Sequence, residues 1–161
     1  MPLRLDLLRH GDAVPAGTGD DAARTLSDRG RKAVAWLAQE FVRRRWKPTL
    51  VFTSPLRRAR ETASILIEAT APGLTCEVLD ELLPEHEPEE LVEALRAYDP
   101  RDHVVLVGHQ PLLGRLASHL TGDADSEFRL PAAGLLSLAC AHPLGTGCAA
   151  LELELYPDGV T

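Results

Sequence analysis

One pattern divides the chain: a short apolar run followed by a stretch of helical periodicity, four times over. Leu3 to Leu8, Thr49 to Thr53, Cys76 to Leu79 and His103 to Val107 read as strands, the last (HVVLV) most clearly. After each, apolar residues recur three, four, seven or eight positions apart, along one face of an amphipathic helix. Val34, Leu37, Ala38 and Phe41 mark the first helix, and Ala59, Ala63, Leu66 and Ile67 the second. Leu91, Ala94, Leu95 and Tyr98 mark the third, and Leu113, Leu116, Ala117 and Leu120 the fourth. Ser27 is suited to cap the first helix. Pro48 closes it, and Pro72-Gly73 breaks the second. Pro88 and several glutamates open the third, as the helix dipole prefers, and Thr121-Gly122 ends the fourth. Two further strands follow, Leu135 to Ala141 and Ala149 to Tyr156, with Gly145 and Gly147 in the turn. The second alternates as L-E-L-E-L, the mark of a half-exposed strand. This order specifies an α/β fold of three layers: a mostly parallel central sheet flanked by helices, with strands at the C-terminal end. No repeat, low-complexity tract or linker interrupts residues 1–161, so a single domain is expected.

The totals exclude more than they assign. A net charge of −7 gives no support to a nucleic-acid role. Only Lys32 and Lys47 among the seventeen basic residues are lysine. Arginine suits phosphate through its planar fork, but a GC-rich coding bias is the better explanation of the number. Position must therefore make the case. Cys76, Cys140 and Cys148 form no C-x-x-C pair, so neither a disulfide framework nor a zinc site is expected. The start, MPLRLDLLRHGD, is too short and charged for a signal peptide, and no run reaches the length of a membrane span. The expectation is a cytoplasmic protein with no membrane or nucleic-acid partner, and nothing requires more than a monomer.

In open parallel sheets, ligands bind beyond the carboxyl ends of the strands. The first strand ends in Arg9-His10-Gly11, and the second in Ser54-Pro55, running on into Arg57-Arg58. The HVVLV strand ends in Gly108-His109-Gln110 at the start of a helix. A parallel sheet would bring two histidines and at least two arginines to one edge. Arginine forks grip a phosphoryl group, and a neutral imidazole can attack phosphorus. A second imidazole can stabilise charge on an equatorial oxygen, and the Gln110 amide N–H at a helix start is a further phosphate donor. Gly11 and Gly108 are expected to let the backbone approach the site closely.

L-R-H-G near the start, S-P-L-R-R-A-R-E-T-A in the middle and V-G-H-Q-P-L late in the chain resemble the histidine phosphatase superfamily, which includes the phosphoglycerate mutases. The short chain and R-H-G-D-A more closely resemble its SixA-type phosphohistidine phosphatases. The resemblance implies a phosphoglycerate mutase-like fold and a metal-free, cofactor-free phosphatase. It implies His10 as the nucleophile that becomes phosphorylated and Arg9 beside it on the phosphate. Counting along S-x-x-x-R-A-x-x-T from Ser54, it implies Arg58 as the phosphate-binding arginine and His109 as the second histidine. Many members carry a general-acid Glu after the third strand. Here Pro84 falls at that place, with Glu81 and Glu85 as nearby substitutes, and SixA-type members also lack the usual acid. An alkyl ester expels an alkoxide that needs a proton, whereas a phosphohistidine expels an imidazole. The implied substrate is therefore phosphohistidine on a protein. The alternatives are a small phosphate ester handled by a phosphomonoesterase or mutase, and a phosphate-binding module without turnover.

Other residues carry plainer readings. Arg57, Arg60 and Arg115 are expected to be solvated or salt-bridged, and His103, at the opposite edge, structural. His86, His119 and His142 lack supporting context, Trp36 and Trp46 read as packing, and Glu85 to Glu93 as a solvated helix start. None of the cysteines is followed by the C-x5-R of a cysteine phosphatase, and neither lysine fits a P-loop. Asp123-x-Asp125 follows a helix, not a buried strand, which argues against an aspartyl-phosphate site. A metal held by His10, Asp12 and His109 would be repelled by the adjacent arginine. Residues 12–25 and 84–90 are expected to rim the site.

Overall fold

Every residue of the HVVLV strand and the glycine after it is buried, and the reason lies in the layers around it. A computed structural model describes residues 2–157. In chain order the elements are β1 (Leu3–Arg9), α1 (Asp28–Arg43), β2 (Leu50–Thr53), α2 (Arg57–Thr70), β3 (Cys76–Val78), α3 (Pro88–Ala97), β4 (His103–Gly108), α4 (Leu112–Thr121), β5 (Leu135–Cys140) and β6 (Ala149–Leu155). Val104 and Leu106 of β4 pack into one cluster with Leu91, Leu95, Leu112, Leu116 and Leu120 of α3 and α4. Val105 and Val107 pack into another with Leu37, Phe41, Ala59, Ala63 and Leu66 of α1 and α2. A strand covered on both faces reads as a continuous apolar run instead of an alternation.

The sheet order is β3-β2-β4-β1-β5-β6. The β3–β2, β2–β4 and β4–β1 pairs are parallel. β5 is antiparallel to both neighbours, so it alone among these strands runs against the rest. The mostly parallel three-layer α/β expectation holds. The β1–β4 adjacency matters most, because the two strands are far apart in sequence yet form the centre of the sheet.

The local signals mostly act as read. Ser27 Oγ accepts the Gly30 N–H at 3.0 Å and caps α1. Gly122 ends α4 with φ +74°. One boundary differs: α1 stops at Arg43, short of Pro48, where Arg45 turns the chain with φ +59°. At the edge of the sheet away from the motifs, His103 Nε2 lies 2.5 Å from Asp6 Oδ2, both residues being buried. The His103 ring stacks on Phe41 and meets Trp46 edge-on, which fits its structural reading.

Candidate active site

Adjacency of β1 and β4 puts the two histidines side by side. Arg9 is in register with Gly108, and the His10 N–H donates to the Gly108 carbonyl at 3.1 Å. The ring centroids of His10 and His109 lie 5.0 Å apart. On the other side of β4, the Ser54 N–H donates to the Val107 carbonyl at 3.1 Å, which brings Arg58 in the first turn of α2 to the same edge. Arg9, His10, Arg58, His109 and Gln110 thus line one cavity of about 270 Å³, together with Asp12, Ala13, Arg24, Pro84 and Ala132. All five residues singled out in the sequence meet there.

Each ring has one nitrogen committed to the protein. His10 Nδ1 is 2.7 Å from the Gly11 carbonyl, so it donates and leaves Nε2 as the lone-pair nitrogen. The Gly11 N–H in turn donates to Thr62 Oγ1 at 3.1 Å, and Thr62 Oγ1 donates to the Arg58 carbonyl at 2.8 Å. His109 Nε2 lies 2.7 Å from Ser54 Oγ, which leaves Nδ1 for a ligand. Burial pushes the His10 pKa down to about 4, with the Arg58, Arg9 and Arg24 cations adding to it against the Gly11 hydrogen bond. Burial, then His10 and the Arg58 and Arg9 cations, push His109 down to about 3. Both imidazoles are neutral at pH 7.

The arginines are only partly satisfied. Arg9 Nη1 donates to the Leu130 carbonyl at 2.9 Å, but its buried Nε has no acceptor among the described residues. Buried Arg58 reaches the Asp21 carbonyl at 3.1 Å and the Asp21 carboxylate at 3.4 Å. Arg24 donates to the Val14 carbonyl at 2.7 Å and to the other Asp21 oxygen at 3.2 Å. Asp21 therefore bridges two arginines facing one cavity. The Gln110 side chain is tied to the Phe128 carbonyl at 3.0 Å and the Gly114 N–H at 2.8 Å, so its backbone N–H is the group left for an anion.

Pro84 does line the cavity, and Glu81 and Glu85 do not. Asp12 is the one carboxylate on the wall among the described residues. The Ser27 hydroxyl at 2.7 Å and the Arg29 cation hold its pKa below the ordinary carboxylate value, so it stays ionised. Residues 12–25 rim the site through Asp12, Ala13 and Arg24, but from 84–90 only Pro84 reaches it.

Some features were not legible in the sequence. Arg24 and Asp21 sit in a loop without periodicity to place them. The segment after α4 returns past the site, where the Ala133 N–H donates to the His10 carbonyl at 3.1 Å and the Arg9 N–H to the Gly134 carbonyl at 3.0 Å. Gly11 differs from its reading. A Cβ there would come within 2.9 Å of Val34 Cγ2 and 3.0 Å of the Gly30 carbonyl, so packing against α1 requires the glycine. At Gly108 a Cβ would meet nothing nearer than Leu82 Cδ2 at 3.4 Å, an ordinary contact. Arg57 pairs with Glu61 and Arg115 with Glu87, as salt-bridged residues.

The histidine phosphatase superfamily (branch 1) model matches residues 5–84, the stretch that holds the first two motifs. An uncharacterized protein of Picosynechococcus sp. strain PCC 7002 is 32% identical over 140 residues, 84% of each chain. A protein of Agrobacterium tumefaciens called SixA shares 26% identity and the fold at a TM-score of 0.81, over 98% of this chain and 99% of that one. The protein histidine phosphatase SixA, solved with tungstate, superposes at a TM-score of 0.87 with 21% identity, over 98% of this chain and 99% of that one. A mycobacterial glucosyl-3-phosphoglycerate phosphatase shares the fold more distantly, at 0.66 with 20% identity, over 93% and 97%. With the three motifs gathered at one sheet edge and the family model lying across the first two, the chain belongs to the histidine phosphatase superfamily.

Proposed function

We propose that the chain hydrolyses phosphohistidine on a protein through a covalent phosphohistidine intermediate on His10. Arg9, Arg58, His109 and the Gln110 amide hold the phosphoryl oxygens. His10 Nε2 attacks phosphorus in line, and the substrate imidazole leaves, taking a proton from solvent. Water then attacks the phospho-enzyme, releasing inorganic phosphate and restoring neutral His10. His109 Nδ1–H faces the oxygen on which charge gathers.

The observation that carries the substrate choice is the cavity wall. Pro84 lines the cavity at the place the family resemblance gives to an acid, and Asp12, the one carboxylate on the wall among the described residues, is held ionised by Ser27 and Arg29. A wall without a carboxylic general acid among the described residues favours a leaving group that can be protonated from solvent over an alkoxide. The tungstate bound by the SixA neighbour, a tetrahedral oxyanion, supports the phosphoryl site. A second reading, a phosphomonoesterase for small esters, draws on the glucosyl-3-phosphoglycerate phosphatase neighbour.

The test compares phosphate release from a phosphohistidine-bearing protein domain and from an alkyl phosphate, without metal, with His10→Ala as the blank. Fast release from the first alone is expected. Comparable release from both favours the small-ester reading. Unaltered alkyl phosphate turnover in Glu81→Gln and Glu85→Gln would remove both as hidden acids. Wild-type turnover by His10→Ala would overturn the mechanism.

A further inference from the structure

Of the motif S-x-x-x-R-A-x-x-T, the phosphoryl chemistry uses only Arg58. Ser54, its first residue, is fully buried and lies beside the second histidine rather than the phosphoryl cavity. Its hydroxyl has two neighbours among the described residues: it accepts the Leu56 N–H at 3.3 Å and lies 2.7 Å from His109 Nε2. A hydroxyl carries one proton and two lone pairs. If Nε2 were protonated, Ser54 Oγ would accept twice and its own buried proton would have no acceptor. Buried donors are rarely left so. If Ser54 donates to Nε2 instead, the hydroxyl proton, the Leu56 N–H and Nε2 all have partners, and the ring proton must sit on Nδ1.

We propose that Ser54 is a positioning residue that fixes the tautomer of His109, holding its Nδ1–H as a donor to the phosphoryl oxygen. This rests on the phosphatase reading for its catalytic meaning, though the tautomer itself does not. The two rings are then set in opposite senses. The Gly11 carbonyl accepts from His10 Nδ1 and leaves a lone pair on Nε2, the form that attacks. The Ser54 hydroxyl donates to His109 Nε2 and leaves a proton on Nδ1, the form that stabilises. The assignment matters because both rings are neutral at working pH, and a neutral imidazole offers either a donor or a lone pair at a given nitrogen. A lone pair on His109 Nδ1 would face the phosphoryl oxygens and repel them.

The test reads the proton directly. Protein labelled with 15N in its histidine rings is examined by long-range 1H–15N correlation at pH 7, with His109→Gln used to assign the signals. The proposal expects Nδ1 protonated and Nε2 unprotonated in the wild type. In Ser54→Ala it expects a mixture of tautomers and a kcat lower by about 10- to 100-fold, with KM within about threefold. Ser54→Thr, which keeps the hydroxyl, should restore both readouts. A wild-type His109 protonated on Nε2 overturns the proposal whatever the variants do. An unchanged tautomer and kcat in Ser54→Ala overturns it too. If the wild type shows the expected tautomer but releases no phosphate, the function reading fails and the assignment stands.

Discussion

Acidification gives the sharpest test of the site. Burial and three cations hold His10 at about 4, against 6.5 for a free imidazole. The difference corresponds to about 3 kcal/mol against placing an imidazolium in this pocket. The sign is definite: a depressed pKa means that pH must fall to about 4 before the proposed nucleophile, neutral His10, is lost. At pH 5 a group of pKa about 4 is about nine-tenths neutral, whereas one of 6.5 is about 3% neutral. The assay is kcat/KM between pH 4 and 8, which reports the free enzyme, after correction for the substrate's own titration. The acid limb should fall near pH 4, with activity at pH 5 close to that at pH 7. An acid limb near 6.5, giving a loss of about 30-fold at pH 5, would refute a desolvated, arginine-flanked His10 as the proposed nucleophile. Stability follows the same linkage. The unfolded histidine takes up a proton below about 6.5 and the folded one does not until about 4. His10 therefore costs nothing above the unfolded value, and stability drains away as pH falls through that window. His109, at about 3, extends the window downward.

Three further outcomes are expected. Arg58→Ala should lower kcat/KM for phosphate release by about 10²- to 10³-fold, and steady-state kinetics showing less than tenfold would remove Arg58 from the site. Gly30→Ala would bring a Cβ to 2.1 Å from the Asp12 carbonyl and should cost about 2 kcal/mol or more in urea unfolding. Gly108→Ala meets only an ordinary contact and should change stability by less than about 1 kcal/mol, so equal losses in the two would contradict the packing argument. Asp6→Ala leaves buried His103 without its partner and should cost about 3 kcal/mol. Because neither residue lines the candidate site and His103 starts β4 at the end away from it, turnover per folded molecule should be unchanged.

The short motifs name phosphoryl chemistry because each follows a strand, and the pairing of those strands makes the chemistry physical. Arg9, His10, Arg58, His109 and Gln110 were all legible, since each sits where an apolar run gives way to polar residues. Arg24 and Asp21 were not: a loop has no period, so nothing local says that its residues fold back over the cavity. Gly11 was legible as special but for another reason, because the helix that presses on it is some twenty residues away in sequence.

The sequence by itself determined the element order, the Ser27 cap, the end of α4 at Gly122 and which side chains could serve. These depend on local backbone preference and on periodicity, which a chain carries residue by residue. Only the tertiary structure decided that β4 inserts between β1 and β2, that β5 alone reverses, and that Ser54 meets His109 across 55 positions. Those contacts join residues with no local means of signalling to each other. Burial of both faces of β4 under two helical layers holds them in place, while desolvation in the cavity and the neighbouring arginines keep the two histidines neutral.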